Sequence, residues 1–240
     1  MLTDDTQLLV DDALIVINKP AGLVVHRSRM ANDVDTDLLT ELAERFDGPL
    51  HPVHRLDRAT SGVILIARSS AAASALGKQL MARTMDKRYI AVCRGWPQSP
   101  GEILYDLADE EGGRKQHALT RYEVLAQATV PIELGRYPQQ RYSYLHVWPE
   151  TGRYRQIRRH FHHISHHLIG DTSHGRSEHN RLFRDHFACE RLLLHAASLS
   201  FQHPTTGAPT HCEAPLDPMF TEVRNKLFPC SWPSDQVRFR

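Results

Sequence analysis

Residues 54–62, HRLDRATSG, hold a single carboxylate, Asp57, with an arginine on either side, and the apolar run 63–67 follows at once. Neighbouring cations favour the ionised form of Asp57. A carboxylate kept ionised suits a nucleophile or an electrostatic stabiliser, not a general acid. No second acidic residue lies in the stretch, so the paired-carboxylate logic of glycoside hydrolases has no local counterpart. Taken alone, Asp57 reads as a surface-turn aspartate paired with an arginine. Its place just before a strand that should be buried on both faces asks for more.

A second stretch could carry chemistry. Residues 151–191 hold eight Arg and eight His against four Asp/Glu, whereas residues 1–50 hold ten Asp/Glu against four Lys/Arg. A chain of net charge +1 can therefore still present a local cationic face to phosphates. His160, His162, His163, His166 and His167 resemble a metal cluster, with 162/166 and 163/167 at the i,i+4 spacing of helical zinc sites. No glutamate of an HExxH pattern lies between either pair and no Cys pair accompanies them, which argues against metal. Histidines facing phosphates or packing on a helix are the better reading.

These groups must be held by the elements around them. QLLV and ALIVINK flank Asp11-Asp12 as a β-hairpin with a two-residue turn, ended by Pro20 and Gly22. Leu38, Leu42 and Phe46 predict a helix over 36–46 behind Asp or Thr caps. After the strand at 63–67, Ser69 or Ser70 caps an Ala-rich helix with Leu76 and Leu80 on one face. Alternation predicts strands over 87–95 and around 117–125, 129–134 and 141–148. Thr151-Gly152 introduces a helix with Ile157, Phe161, Ile164 and Leu168 in one stripe, leaving Arg155, Arg158 and Arg159 off the core face. RLLLHAASLSFQ and THCEA form a second hairpin, and Asp217-Pro218 caps a C-terminal helix using Met219, Val223 and Leu227. Hairpins dominate and no βαβ repeat occurs, so the class is α+β with a mostly antiparallel sheet.

Length and 41% hydrophobic content suffice for a real core. No apolar run approaches a membrane span and the N-terminal stretch lacks a leader pattern, so a cytosolic (cytoplasmic) protein with no membrane partner is expected. Cys93, Cys189, Cys212 and Cys230 show no CxxC spacing and suit reduced thiols.

At HRLDRATSG the chain resembles the catalytic motif of RluA-type RNA pseudouridine synthases, with every position but the variable Ala59 in place. Residues 18–26 (NKPAGLVVH) resemble that family's N-terminal hairpin, residues 87–95 (KRYIAVCRG) its aromatic-bearing strand, and TGRYRQIRRHF followed by LIGD its later motif. Residues 158–175 and the RYP segment 136–144 look most like the group acting on tRNA at uridine 65. The resemblance implies a pseudouridine synthase fold, a mostly antiparallel sheet flanked by helices and loops around a central cleft. It also implies a catalytic domain over 1–230 without an S4 domain, and a tail at 231–240. Asp57 matches the catalytic aspartate, Arg55 the arginine that enters the RNA stack as the target leaves it, Tyr89 the ring on the flipped base, and Arg158 the cation paired with the catalytic carboxylate. Arg155 departs from the pattern, which usually has His there. No metal, nucleotide or redox cofactor and no obligate protein partner is implied.

On pattern alone Tyr89 reads as a core aromatic, which the motif reverses, while Arg158 fits an exposed helix residue and a site residue equally. Arg58 is expected to face phosphate, because neighbours in an extended strand point oppositely. Three rivals stand beside a tRNA synthase: an rRNA synthase of the same type, a non-catalytic RNA-binding module, and a histidine-metal protein.

Overall fold

A computed structural model describes residues 2–26, 36–108 and 113–229. The opening hairpin pairs β1 (Gln7–Val10) with β2 (Leu14–Lys19). Its connection, residues 11–13, is one residue longer than expected. The Asp11 carboxylate accepts the Ala13 and Leu14 amides at 2.7 and 2.9 Å, a side-chain turn that replaces the tight two-residue loop. Helix α1 (Leu38–Ala43) is capped by Asp37, whose side chain accepts the Thr40 amide. β3 (His51–Pro52) and β4 (Ser61–Ala67) follow, then α2 (Ser70–Ala82), capped by Ser69. β5 (Asp86–Arg94), β6 (Gly101–Leu104), the small pair β7 (Leu107–Ala108) and β8 (Lys115–Gln116), β9 (Leu119–Val130) and β10 (Gln140–Pro149) complete the middle. α3 (Gln156–His163), α4 (Ser177–Phe187), β11 (Leu194–Gln202), β12 (Pro209–Glu213) and α5 (Pro218–Leu227) close the described chain.

The main sheet runs β1-β2-β4-β11-β5-β10-β9-β6, with β3 on β4 and β12 on β11. Among the described residues only β4 and β11 pair in parallel, over His195↔Ser61 and Ala196↔Gly62. Beyond those two pairs the strands separate: β3 takes the edge of β4 at His51↔Ala67, and β12 that of β11 from Ser198↔Glu213. The sheet forks at this point. Gly62 makes the junction possible, because its φ is +108° and a Cβ there would lie 2.2 Å from the Ala196 carbonyl oxygen.

Period-two alternation sends successive side chains to opposite faces. In the first half, Leu14, Val16, Val63 and Leu65 pack on Ala72 and Leu76 of α2, while Ile15, Ile17, Ile64 and Ile66 pack on Leu38 and Leu42 of α1. In the second half, Ile90, Val92, Tyr142 and Tyr144 pack on α4 and α5 through Leu182, Phe183, Phe220 and Val223. Ala91, Cys93, Leu145 and Val147 pack on Ile157 and Phe161 of α3. Every residue of β4 is buried, as its unbroken apolar run requires.

Three elements differ from the expectations. The alternating segments at 117–125 and 129–134 are mostly one long strand, β9, which ends at Val130. α3 stops at His163 instead of running on to Leu168: Ser165 is left-handed (φ 61°), and the chain returns to the sheet, where Arg94 donates to the His167 carbonyl at 2.9 Å and Ile169 to that of Val92 at 3.0 Å. His166 and His167 therefore lie beyond the helix, and the i,i+4 geometry supposed for a zinc site does not form. Among the described residues no group of three or more His, Cys, Asp or Glu is placed to hold a metal ion. α4 was not anticipated at all. Cys93, Cys189 and Cys212 are buried free thiols. Cys230 and the segment 231–240 lie outside the described residues. No helix among the described residues is long and apolar enough to cross a membrane.

Candidate active site

Asp57 stands in a turn, not an extended strand: the Thr60 amide donates to the Asp57 carbonyl at 3.0 Å. The NKPAG segment braces that turn from beneath. The Gly22 amide donates to the Arg58 carbonyl at 2.7 Å, and Arg58 Nε returns a bond to the Gly22 carbonyl at 3.2 Å. The expectation that Arg58 faces away from Asp57 by strand alternation therefore had the wrong geometry behind it. Lys19, fully buried, donates through Nζ to the carbonyls of Pro20 and Leu23 at 2.8 Å each and of Arg58 at 3.4 Å. Burial, aided by the Arg191 charge, pushes its pKa down to about 7, while Asp57 acts in the opposite sense. At the sheet fork Ser61 is bonded to His195 Nδ1 at 2.8 Å and receives Arg191 Nη2 at 2.9 Å, and Arg191 also pairs with Asp217.

The loop before α3 is held by one side chain. Gln156 accepts from Thr151 Oγ1 at 2.6 Å and from the Arg153 amide at 3.1 Å. Its Nε2 donates to the Leu119 carbonyl at 2.9 Å and to Thr120 Oγ1 at 3.0 Å. With the oxygen of that amide satisfied by the loop and its nitrogen by β9, α3 starts at a fixed point and aims Arg158 inward.

Arg158 is where the two motifs meet. Its Nη1 donates to Asp57 Oδ2 at 2.9 Å, and its Nε and Nη2 donate to Asp171 Oδ2 and Oδ1 at 2.8 and 2.7 Å. Residues 57 and 158 are thus brought together as the motifs implied, although Arg158 is buried and not merely off the core face. Asp171 Oδ1 also accepts the Ser173 and His174 amides at 2.9 Å each, and Asn180 Nδ2 bonds the Asp171 carbonyl at 2.9 Å. The side chains of Arg158, Asp171 and Asp57 are 5%, 1% and 17% exposed, so of the two carboxylates only Asp57 reaches the open space. Burial resists ionisation of Asp171, but the Arg158 guanidinium and the two amides outweigh it and hold its pKa below the usual carboxylate value. Burial likewise resists charge on Arg158, and the two carboxylates overcome it and raise its pKa. The result is a cation that cannot leave and a carboxylate, Asp57, fixed through one oxygen. Asp57 Oδ1 accepts no hydrogen bond among the described residues, which leaves it available as a nucleophile or base.

The open space is a cleft of about 680 Å³ lined by Asp57, Arg158, Tyr89, Arg55, Tyr154 and Arg155, among others. Pockets of this size suit small-molecule or nucleotide groups. Tyr89, half-buried, projects between the clusters on α1 and α3 and pairs across the sheet with Ala196 and Val147. Burial and the Asp57 charge raise its pKa, so it stays a neutral ring. Arg55 is exposed, its guanidinium 5.8 Å from the Tyr154 ring centroid. His54 accepts the Leu65 amide through Nε2 at 3.2 Å, and burial pushes its pKa down to about 4.

Sequence reasoning missed several members of this site. Asp171 was visible only as the last letter of LIGD, with no role attached. Lys19, Gln156 and Asn180 are bracing groups whose partners are main-chain atoms far away in sequence. The cue available for Asp171 was a lone carboxylate within a run of Arg and His.

A family model for RNA pseudouridylate synthases matches residues 13–163, from the start of β2 to the end of α3. A tRNA pseudouridine synthase C of Pectobacterium carotovorum subsp. carotovorum is 42% identical over 217 residues, covering 86% of this chain and 58% of that protein. The chain thus spans a little over half of that relative. A tRNA pseudouridine synthase C of Vibrio cholerae is 39% identical over 217 residues, covering 86% of this chain and 89% of that one. Among solved structures, human RNA Pseudouridylate Synthase Domain Containing 4 superposes with TM-score 0.70 at 23% identity over 93% of both chains. Domain Containing 1 gives 0.69 at 24%, over 88% of this chain and 83% of that one. At such identities these neighbours speak for the fold, and the family model and the relatives near 40% for the lineage: the chain belongs to the RNA pseudouridylate synthase family.

Proposed function

We propose that the protein isomerises one uridine of tRNA to pseudouridine, at position 65, with Asp57 as the catalytic group. The observation that carries the reading is the Asp57–Arg158–Asp171 couple at the wall of a nucleotide-sized cleft, in a chain whose relatives are synthases of tRNA. A uridine within a helix is inaccessible, so the target must be extruded at a cost of a few kcal/mol. Arg55 at the exposed rim fills the gap left in the stack, and Tyr89 packs on the extruded base. Asp57 then initiates breakage of the C1′–N1 bond, by attack at C1′, by attack on the base or by removing the C2′ proton. The uracil turns, C5 joins C1′ as any bond to Asp57 breaks, and C5 loses a proton while N1 gains one, so atoms balance and the reaction is redox-neutral. Because the detached base must stay captive, a deep cleft walled by a fixed ion pair serves the chemistry. Residues 1–230 form the catalytic unit on this reading, and a tRNA substrate implies work in the cytoplasm.

The test is to incubate the purified protein with separate tRNA and rRNA transcripts labelled with tritium at C5 of uridine, and to map the product. Tritium release with one pseudouridine in tRNA, at position 65, is expected. Product in rRNA alone would overturn the substrate. No release from either would overturn the synthase reading.

A further inference from the structure

Arg155 is the one residue of the TGRYRQIR stretch at which the chain departs from the resembling motif, and it stands on the cleft wall beside the catalytic couple. Its Nη1 donates to Ser173 Oγ at 3.2 Å, but its Nε is buried with no hydrogen-bond partner among the described residues. No carboxylate lies within ion-pair distance of it among the described residues, whereas Arg158 one turn further on is shared by two. A buried donor left without an acceptor is destabilising. An acceptor arriving with a ligand would complete it.

The surroundings say which acceptor. The Arg155 guanidinium lies 4.9 Å from the centroid of the Tyr154 ring, and the Arg55 guanidinium 5.8 Å from the same centroid. One aromatic ring thus has two cations near it, which makes this part of the cleft wall cationic. An anionic oxygen lodged beside Arg155 supplies the absent acceptor and meets that charge. Arg155 is also held in left-handed backbone, φ 50°, where a non-glycine residue is strained, at the residue that precedes the first turn of α3. Arginine supplies its charge at every working pH and offers a fork of donors to a phosphate, which the usual histidine does not.

We propose that Arg155 binds a backbone phosphodiester of the substrate RNA at the cleft mouth, with Tyr154 positioning its guanidinium and Arg55 as the neighbouring cation. The inference rests on the synthase reading above.

Equilibrium binding of the full chain to a tRNA transcript, from about 50 to 200 mM salt, tests it when combined with steady-state kinetics. Arg155→Met and Arg155→Asn both remove the charge, and asparagine also tolerates left-handed backbone. Each variant is expected to bind more weakly, with the slope of log K against log salt shallower by roughly 0.7–0.9, the loss of one phosphate contact. KM should rise more than kcat falls, and Arg155→Lys should restore the slope. An unchanged slope in both charge-removing variants, or a loss confined to kcat, would overturn the proposal. An unsubstituted protein that neither binds nor modifies the transcript would instead overturn the synthase reading, and this inference with it.

Discussion

Replacing Asp171 with asparagine separates the clamp on Arg158 from the carboxylate that faces the cleft. Three of the four bonds to Asp171 converge on Oδ1, from Arg158 Nη2 and the Ser173 and His174 amides, and an asparagine oxygen can keep them. The fourth, from Arg158 Nε to Oδ2 at 2.8 Å, becomes donor against donor. Removing one partner of a buried ion pair costs 3–5 kcal/mol, and Asp57 still neutralises part of the guanidinium, so about 3 kcal/mol is expected. For a chain of this size that is a melting-temperature fall of roughly 6–12 °C. Asp171 is held below its ordinary 3.8, so its contribution is intact above that value and is lost as pH falls through the folded-state pKa. The gap between parent and variant should therefore be constant from pH 6 to 8 and close only in strong acid. A guanidinium displaced by about 1 Å should lower kcat by roughly 10²-fold. Urea unfolding and the rate of pseudouridine formation at saturating RNA measure both effects. A variant within 1 kcal/mol of the parent, or one with full kcat, would show that Asp171 does not hold Arg158.

Gly62→Ala combines a φ of +108° with a Cβ 2.2 Å from a main-chain oxygen at the sheet fork, so a loss of roughly 3 kcal/mol or more is expected; a melting point within 2 °C of the parent would contradict it. His160 and His179 are buried and held neutral with pKa values near 4, and His160 Nδ1 has no partner to receive a proton's hydrogen bond among the described residues. The unfolded chain binds more protons between their ordinary 6.5 and 4, so stability is complete above pH 6.5 and falls through that window, by up to about 3 kcal/mol per histidine. Urea unfolding at intervals from pH 7 to 4.5 checks this, and a flat profile would contradict it.

The local rules were legible where one residue type and one spacing carried the information. The Asp37, Ser69 and Asp217 caps each accept the amide three residues on, and β4 is buried throughout, as its composition demanded. The Asp57 and Arg158 pairing was legible only through resemblance, since the residues lie 101 positions apart and neither segment names the other. What stayed hidden was decided by tertiary contact. α3 ends early because Ser165 turns the chain back to hydrogen-bond with β5, a constraint absent from its own apolar stripe. α4 escaped notice because its charged residues mask a short apolar face, Leu182 and Phe183, that matters only against β5 and β10. Asp171 became meaningful once Arg158 was seen to need a second carboxylate.

Asp57 alone is the reacting group on the proposed reading, and the direct measurement is single-turnover pseudouridine formation by Asp57→Asn and Asp57→Ala with enzyme in excess over tRNA. Both variants should bind RNA with nearly parental affinity and form no pseudouridine. Product at a measurable rate from either, with the RNA bound, would contradict it.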